Sequence, residues 1–359
     1  MSRRALTILA TLIVVIGGGV VFFRAFQAPI GEAIFERAAT ARMDMQAYSA
    51  LGEGLHVGLC GSGSPFPDTS RAGPCTFVRA ADRLFVVDIG SGSSRQLGTM
   101  GVPIDEIDAV LLTHFHSDHL TDLGDIMLLR WAGGSHDNPL PIYGPPGVSQ
   151  VVEGFEAAYA LDQTYRIAHH GPEVMPPAGF GGDPRPFDLG TDDSVVLFEE
   201  DGLRVSAFSV SHDPIDPVVG YRFDYQGRSV VISGDTTHND NLVRVAQGVD
   251  LLIHDALQVR LVEVIREAAV ERGNDELSTI LFDIQDYHAT PEDAARAASN
   301  TGAQMLVLHH VVPPLPSRVL YRAYVGDAHN YFDGPIVVGE DGMVFSLPPR
   351  SEEIMRERF

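Results

Sequence analysis

The sequence predicts a mixed α/β domain behind an N-terminal helix of membrane length, on three observations. Apolar strand-like runs recur along the chain, stretches of helical periodicity alternate with them, and an uncharged segment opens it. That segment, Ala5 to Phe23, would span roughly 28 Å as a helix, close to the thickness of a bilayer core. Phe22, Phe23 and Arg24 close it without a small-residue cleavage site. An uncleaved signal anchor over residues 1–27 is therefore expected, with a cleaved signal peptide as the alternative. Arg3 and Arg4 before the segment, against Arg24 alone just after it, favour a cytoplasmic N-terminus, an inner-membrane anchor and a periplasmic catalytic domain. Gly31 to Tyr48 reads as a polar helix within a linker of residues 28–50. One domain is expected over 51–350 and a tail over 351–359.

Within the domain, strands are expected at Leu55 to Leu59, Thr76 to Val78, Leu84 to Asp88, Ala109 to Leu112 and Leu203 to Val210. Further strands are expected at Val218 to Phe223, Ser229 to Ile232, Leu251 to Ile253 and Met305 to Leu308. Helices are expected at Val148 to Tyr165, Asn241 to Ala246, Val259 to Glu271 and Pro291 to Thr301, the last with Thr290 as its cap and Pro291 in first position. The Pro- and Gly-rich stretch His169 to Asp188 reads as a long loop, whose His169 and His170 either touch substrate or are simply solvated.

Composition removes several mechanisms. The formal charge is -23, and all 25 basic residues are arginine. With no lysine, a P-loop and a pyridoxal Schiff base are both excluded. The acidic balance also argues against a long-range pull on polyanions. Cys60 and Cys75 lie outside any zinc-knuckle spacing and end and open neighbouring strand-like runs. A disulfide, which would suit an exported domain, and two buried thiols both remain open.

The chemistry concentrates at strand ends. An apolar run from Ala109 leads directly into His114-Phe-His116-Ser-Asp118-His119, four metal-ligating side chains within six residues. His114 and His116 leave an extended chain on one side and can grip one ion; Asp118 and His119 can reach a second. Imidazole and carboxylate suit zinc first, with manganese or iron as alternatives. Two ions need more ligands, and three candidates end later strands: His212 after Val205 to Val210, Asp235 in Ser233-Gly-Asp-Thr, and His310 after Met305 to His309.

With Leu59-Cys-Gly-Ser-Gly-Ser-Pro65 upstream and Asp286-Tyr-His288-Ala-Thr-Pro-Glu downstream, the chain resembles the metallo-β-lactamase superfamily, in its branch of ribonuclease Z and the metal-dependent arylsulfatases. The resemblance implies a four-layer αβ/βα sandwich with a site for two zinc ions at one edge. It implies His114, His116 and His212 on one ion, Asp118, His119 and His310 on the other, and Asp235 as the bridge. His310 is chosen over its neighbour His309 because the family reserves only one ligand position there. Such a pair of ions would lower the pKa of a shared water, oriented by Asp118, so no protein nucleophile is required. His288 corresponds to a proton donor of ribonuclease Z, and His254 and Asp255 are placed to orient groups of the site from behind.

Ribonuclease Z enzymes commonly carry a long basic arm between the third ligand and the SGDT motif, and here His212 and Asp235 are only 23 positions apart. The stretch from Val218 to Val231 looks closer to the arylsulfatase-like members. The expected substrate is accordingly a small-molecule anionic ester, an aryl sulfate or phosphodiester, and nucleic acid is set aside. The alternatives are a ribonuclease Z-type tRNA 3'-end endonuclease and a non-catalytic metal-binding or docking protein on the same fold. Arg222 and Arg228 are the candidates for a local basic patch. The N-terminal helix gives a membrane as partner, and a homodimer is left open.

Overall fold

The computed structural model describes residues 2–43 and 47–359. These fall into two compact units, Met1–Ala50 and Leu51–Phe359. In the first, α1 (Arg3–Met43) is one helix of 41 residues with Pro29 inside it. The expected anchor and linker helix are thus a single element, because the proline removes one backbone hydrogen bond without ending the helix. Residues 44–46 of the expected linker lie outside the described residues. Arg3–Arg24 has a mean hydropathy of 2.6 and none of its described residues is buried, a length and composition suited to a membrane span and shared by signal sequences.

The second unit begins with β1 (Leu55–Gly61), β2 (Cys75–Ala80), β3 (Arg83–Val87), α2 (Ser93–Thr99), β4 (Ala109–Leu111), α3 (Leu123–Gly134), β5 (Leu140–Gly144), α4 (Val148–His170) and β6 (Gly182–Pro186). It continues with β7 (Ser194–Glu200), β8 (Leu203–Ser209), β9 (Val219–Tyr225), β10 (Arg228–Ile232), α5 (Asp240–Val245), β11 (Leu251–Leu257), α6 (Val259–Glu271), α7 (Asp275–Asp283), α8 (Pro291–Thr301) and β12 (Met305–Val312). It closes with α9 (Tyr321–Val325), β13 (Ile336–Val338), β14 (Met343–Leu347) and β15 (Met355–Arg358).

Two sheets form, in the orders β15-β14-β1-β2-β3-β4-β5-β6 and β13-β12-β11-β10-β9-β8-β7. Alternate side chains of both, among them Val57, Phe85, Leu111, Val205, Phe223, Ile253 and Phe345, meet in one buried layer. Each such side chain contributes about 1.5–3 kcal/mol by leaving water. Helices α5, α8 and α9 cover the outer face of the second sheet through Leu242, Ala294, Ala298 and Tyr324, and α2, α3 and α4 lie against the first. The result is the four-layer αβ/βα sandwich.

In each sheet one half is parallel, β3 to β6 and β10 to β13. Parallel strands covered on both faces need continuous apolar runs, and β11 is buried at every position. A polar residue following such a run stands at the rim of the sheet, which is where this chain gathers its histidines and aspartates.

Cys60 and Cys75 are joined in a disulfide, both buried, closing a loop of 15 residues. The cross-link restricts the unfolded chain and is worth roughly 3 kcal/mol. The expected loop from His169 to Asp188 is shorter than its composition suggests. Helix α4 runs on to His170, and β6 pairs with β5 despite Pro184 and Pro186, because an edge strand tolerates proline on its unpaired side. His169 and His170 stand exposed at the end of α4. Arg222 and Arg228 form no basic patch. Arg222 is held by Asp224 and the Val245 and Gln247 carbonyls, and buried Arg228 by Asp250 and the Pro348 and Glu353 carbonyls.

Candidate metal centre

The histidines and aspartates singled out from the sequence converge at one rim of the sandwich, each delivered by the end of a strand. Strand β4 delivers His114, and a single turn of 3-10 helix carries Asp118 and His119. His212 follows β8, Asp235 follows β10, and His310 lies within β12. Ligand atoms of His114, His116, His212 and Asp235 lie within 4.8 Å of one another, as do those of Asp118, His119 and His310.

Hydrogen bonds behind the site fix which nitrogen of each ring faces it. Thr113 donates both its backbone N–H and its hydroxyl to Asp88, at 2.8 Å each. With its own proton committed, the hydroxyl oxygen accepts from His114 Nδ1–H at 3.0 Å. His119 Nδ1–H donates to the same Asp88 at 2.8 Å, and His212 Nδ1–H to the Tyr287 carbonyl at 2.7 Å. All three Nε2 lone pairs are therefore turned inward, as metal ligation requires. Asp88 has no place in the ligand motif and was not legible as a site residue. Its signal is an acidic residue at the end of β3 in a left-handed conformation, φ 56°.

The spacing of the inward atoms suits a metal ion. His116 Nδ1 is 3.0 Å from His114 Nε2 and 3.3 Å from His212 Nε2, whereas ligands 2.0–2.1 Å from a tetrahedral zinc sit about 3.3 Å apart. Asp235 Oδ2 stands between the two groups, 3.2 Å from His119 Nε2, 3.3 Å from His310 Nε2, 3.9 Å from His114 Nε2 and 4.0 Å from His212 Nε2. Asp118 Oδ2 is 3.2 Å from His310 Nε2 and 3.5 Å from His119 Nε2.

Charge follows the same division. Burial pushes the His114 imidazole well below its ordinary value, assisted by His119 beside it. Burial acts to raise Asp235 and Asp118, but His119 and His310 outweigh it and hold both carboxyls below the usual range. Burial acts to lower His119, and the Asp235, Asp118 and Asp88 carboxylates hold it well above. Neutral imidazoles and ionised carboxylates are the donor set of a divalent ion; His114 and the two carboxylates already have that form, whereas His119, held protonated by the carboxylates around it, would release its Nε2 proton to ligate.

The choice between adjacent histidines has a backbone cause. Asp255 pairs with His309 and Ala256 with Val311, so His310 is the extra residue of a bulge between β11 and β12. Its φ of 46° turns its side chain to Asp118 and Asp235, and a bulge commonly re-aims a side chain in this way. His309 turns away to the Gly61 carbonyl at 2.7 Å, and burial and the neighbouring His310 push its pKa down to about 4.

Behind the ligands, Asp255 Oδ2 accepts from His288 Nδ1–H at 3.1 Å, and Asp255 Oδ1 faces His254 Nδ1 at 3.1 Å. Asp255 thus holds His288, while the hydrogen bond of His254 Nδ1 goes to the Asp255 backbone carbonyl at 2.9 Å. Above the group lies a cavity of about 210 Å³ whose walls include Phe66, His116, Asp118, Tyr287, His288 and Val312. Polar ligands form its floor, and aromatic and aliphatic side chains its sides.

Comparison with known proteins agrees with this geometry. Residues 86–311 match the model of the β-lactamase superfamily domain. Ribonuclease Z of Mycolicibacterium gilvum is 36% identical over 291 residues, covering 80% of this chain and 94% of that protein. Among solved structures, the metallo-β-lactamase-fold protein YhfI of Bacillus subtilis superposes with a TM-score of 0.58 at 22% identity, covering 81% of this chain and 99% of that one. The short form of human tRNase Z gives 0.56 at 23% identity, covering 82% and 99%.

These relatives correct the expectation that the partner is a small-molecule ester and that nucleic acid is set aside. The relatives at 36% identity over 94–99% of their own length are ribonuclease Z proteins. The short interval between His212 and Asp235 does not separate this chain from them, because an alignment covering 80% of one chain and 94% of the other in 291 residues leaves no long arm unmatched. Net charge misleads for a different reason: it sums the whole surface and says nothing of where the arginines stand. By its matched domain and its relatives, the chain belongs to the metallo-β-lactamase superfamily, beside ribonuclease Z, and is a metal-dependent hydrolase of ester bonds.

Proposed function

We propose that the chain is a phosphodiesterase acting on RNA, with the chemistry of a ribonuclease Z-type endonuclease, for which 3'-extended precursor tRNA is the assay substrate. The observation that carries this reading is one cavity lined by four candidate ligands, His116, Asp118, Asp235 and His310, whose ligand atoms are grouped with those of His114, His119 and His212, and by His288, held by Asp255.

When bound, two divalent ions, zinc foremost, supply Lewis acidity toward a phosphoryl oxygen and acidify a water. Three histidines would hold one ion, Asp118, His119 and His310 the other, and Asp235 would reach both. Asp118, which lines the cavity, also orients the attacking water. His288 donates its Nδ1–H to Asp255, and in the imidazolium form it hands its Nε2 proton to the departing oxygen and returns to the neutral Nδ1–H ring. Phe66 and Tyr287 exclude water from this point and offer flat faces on which a base can stack.

The test is kcat/KM of the full-length chain in detergent on a 3'-extended precursor tRNA beside bis(4-nitrophenyl) phosphate. Cleavage at one RNA position, lost with chelator, restored with zinc and falling steeply with salt, is the expected result. Hydrolysis of the aryl ester with no RNA cleavage would overturn the reading.

The enzyme is further read as anchored by Arg3–Arg24 with its domain on the non-cytoplasmic side. The arginine asymmetry around the span and the buried Cys60–Cys75 disulfide support this, since such cross-links persist in oxidising compartments. Full-length chain is expected in the membrane fraction, and protease added to spheroplasts should digest the domain. Full-length chain recovered from cytosol would reject the anchor.

A further inference from the structure

A second cavity lies away from the candidate ligands. It measures about 610 Å³ and sits where β13, β14 and β15 meet α9, with Arg318, Arg322, Arg356 and Arg358 in its lining. Four of the 25 arginines of a chain charged at -23 thus face one space, against two acidic residues, Glu340 and Glu357. Glu340 is already committed. Arg318 and Arg358 both donate to its Oε2, and Tyr321 donates to its Oε1 at 2.9 Å. Burial acts to raise its carboxyl, and these partners hold it down at about 2. This group keeps a net positive charge and fixes two guanidinium groups at the wall. Arg322, from α9, and Arg356, from β15, are exposed and are in no ion pair among those of the described residues.

The cavity is linked to the catalytic one by two short stretches of chain. Val312 lines the catalytic cavity and Arg318 the basic one, and six residues reach at most about 21 Å. The loop carrying Phe66 in the catalytic wall continues to Arg71, which donates to Tyr321 Oη at 2.8 Å and to the Gly339 carbonyl at 3.2 Å. A strand of a few nucleotides can therefore occupy both. On an otherwise acidic surface, a polyanion is drawn to the place where positive charge is gathered.

We propose that this cavity is the docking site for the phosphate backbone of the RNA substrate, with Arg322 and Arg356 as the groups that contact it. This rests on the RNA reading above and adds where a chain without a basic arm grips its substrate.

The experiment compares full-length wild type with the double variants R322A/R356A and R322K/R356K, on 3'-extended precursor tRNA and on bis(4-nitrophenyl) phosphate. Each lost phosphate contact removes about 0.7–0.9 from the slope of log affinity against log salt. The alanine pair is therefore expected to flatten the salt dependence of KM for RNA by about 1.4–1.8. It should also lower the ratio of kcat/KM for RNA to that for the aryl ester about tenfold near physiological salt. The lysine pair, which keeps both charges, should restore most of the loss. An unchanged ratio and slope would overturn the docking site while leaving the RNA reading intact. A wild type that cleaves the aryl ester and no RNA would overturn both. Loss of binding to phosphatidylglycerol vesicles in R322A/R356A, with RNA kinetics unaltered, would assign the cavity to a membrane surface and overturn the proposal.

Discussion

Replacing Asp235 by Asn is expected to lower metal content from close to two ions per chain to one or fewer, and to cut hydrolysis by more than about 100-fold. The reason is the position of a single oxygen. Asp235 Oδ2 lies 3.2–3.3 Å from His119 and His310 and 3.9–4.0 Å from His114 and His212, so it is the one carboxylate oxygen facing both groups of imidazoles. An amide keeps the volume but removes the charge, and it offers each ion a weaker oxygen or an N–H. Loss of a partner that merely orients a ligand typically costs about 10–100-fold in affinity or activity, which sets a floor for losing the shared ligand itself. Elemental analysis of the purified variant, read beside its rate on the aryl ester, decides the matter. Two ions retained with a rate within tenfold of wild type would mean that Asp235 does not bridge.

How far the site could be read from the sequence follows from how local each part is. HFHSDH was legible because four ligands stand within six residues at the end of an apolar strand. His212 and Asp235 were legible because a buried strand leaves a polar residue conspicuous where it ends. Helix α8 was legible to the residue, because Thr290, Pro291 and Asp293 form a capping box with proline in first position. Asp88 was not, because its function appears only when Thr113 and His119, 25 and 31 residues away, fold back onto it. The choice of His310 over His309 turns on a one-residue bulge against β11, and no local pattern announces that.

Strands were the other gap, the interior β5 and β14 as well as the edge strands β6, β7, β13 and β15. Strand β6 is masked by its prolines, and β15, Met355-Arg-Glu-Arg358, is exposed at all four positions and carries no apolar alternation to find. The same strand supplies Arg356 and Arg358 to the basic cavity. The arginines chosen from sequence, Arg222 and Arg228, are spent on internal partners, while two of the four that line the basic cavity, Arg356 and Arg358, stand on a strand with no hydrophobic signature.

Replacing His288 by Ala is expected to lower kcat on RNA by about 10²–10⁴-fold, the usual worth of a positioned general acid, with both ions retained. Its side chain is only 7% exposed, with Nδ1 3.1 Å from Asp255 Oδ2, an arrangement that holds one tautomer and leaves Nε2 for the substrate. Two other roles compete. His288 also lies within 4.8 Å of Asp235 and His310 by ligand atoms, so it could be a ligand, and its ring stacks on His310 at 5.2 Å, so it could simply brace that residue. A lost ligand would strip an ion and a lost brace would slow every substrate alike, whereas a proton donor matters most when the departing oxygen is a poor leaving group. The loss on RNA should therefore greatly exceed the loss on bis(4-nitrophenyl) phosphate, whose aryl oxide leaves readily without a proton. Asp255→Asn should show the same selectivity in milder form, about 10–100-fold, because the amide oxygen can still accept the Nδ1 proton while the charge that favours a protonated ring is gone. Equal losses on the two substrates, or one ion missing from His288→Ala, would remove His288 from the proton-transfer step.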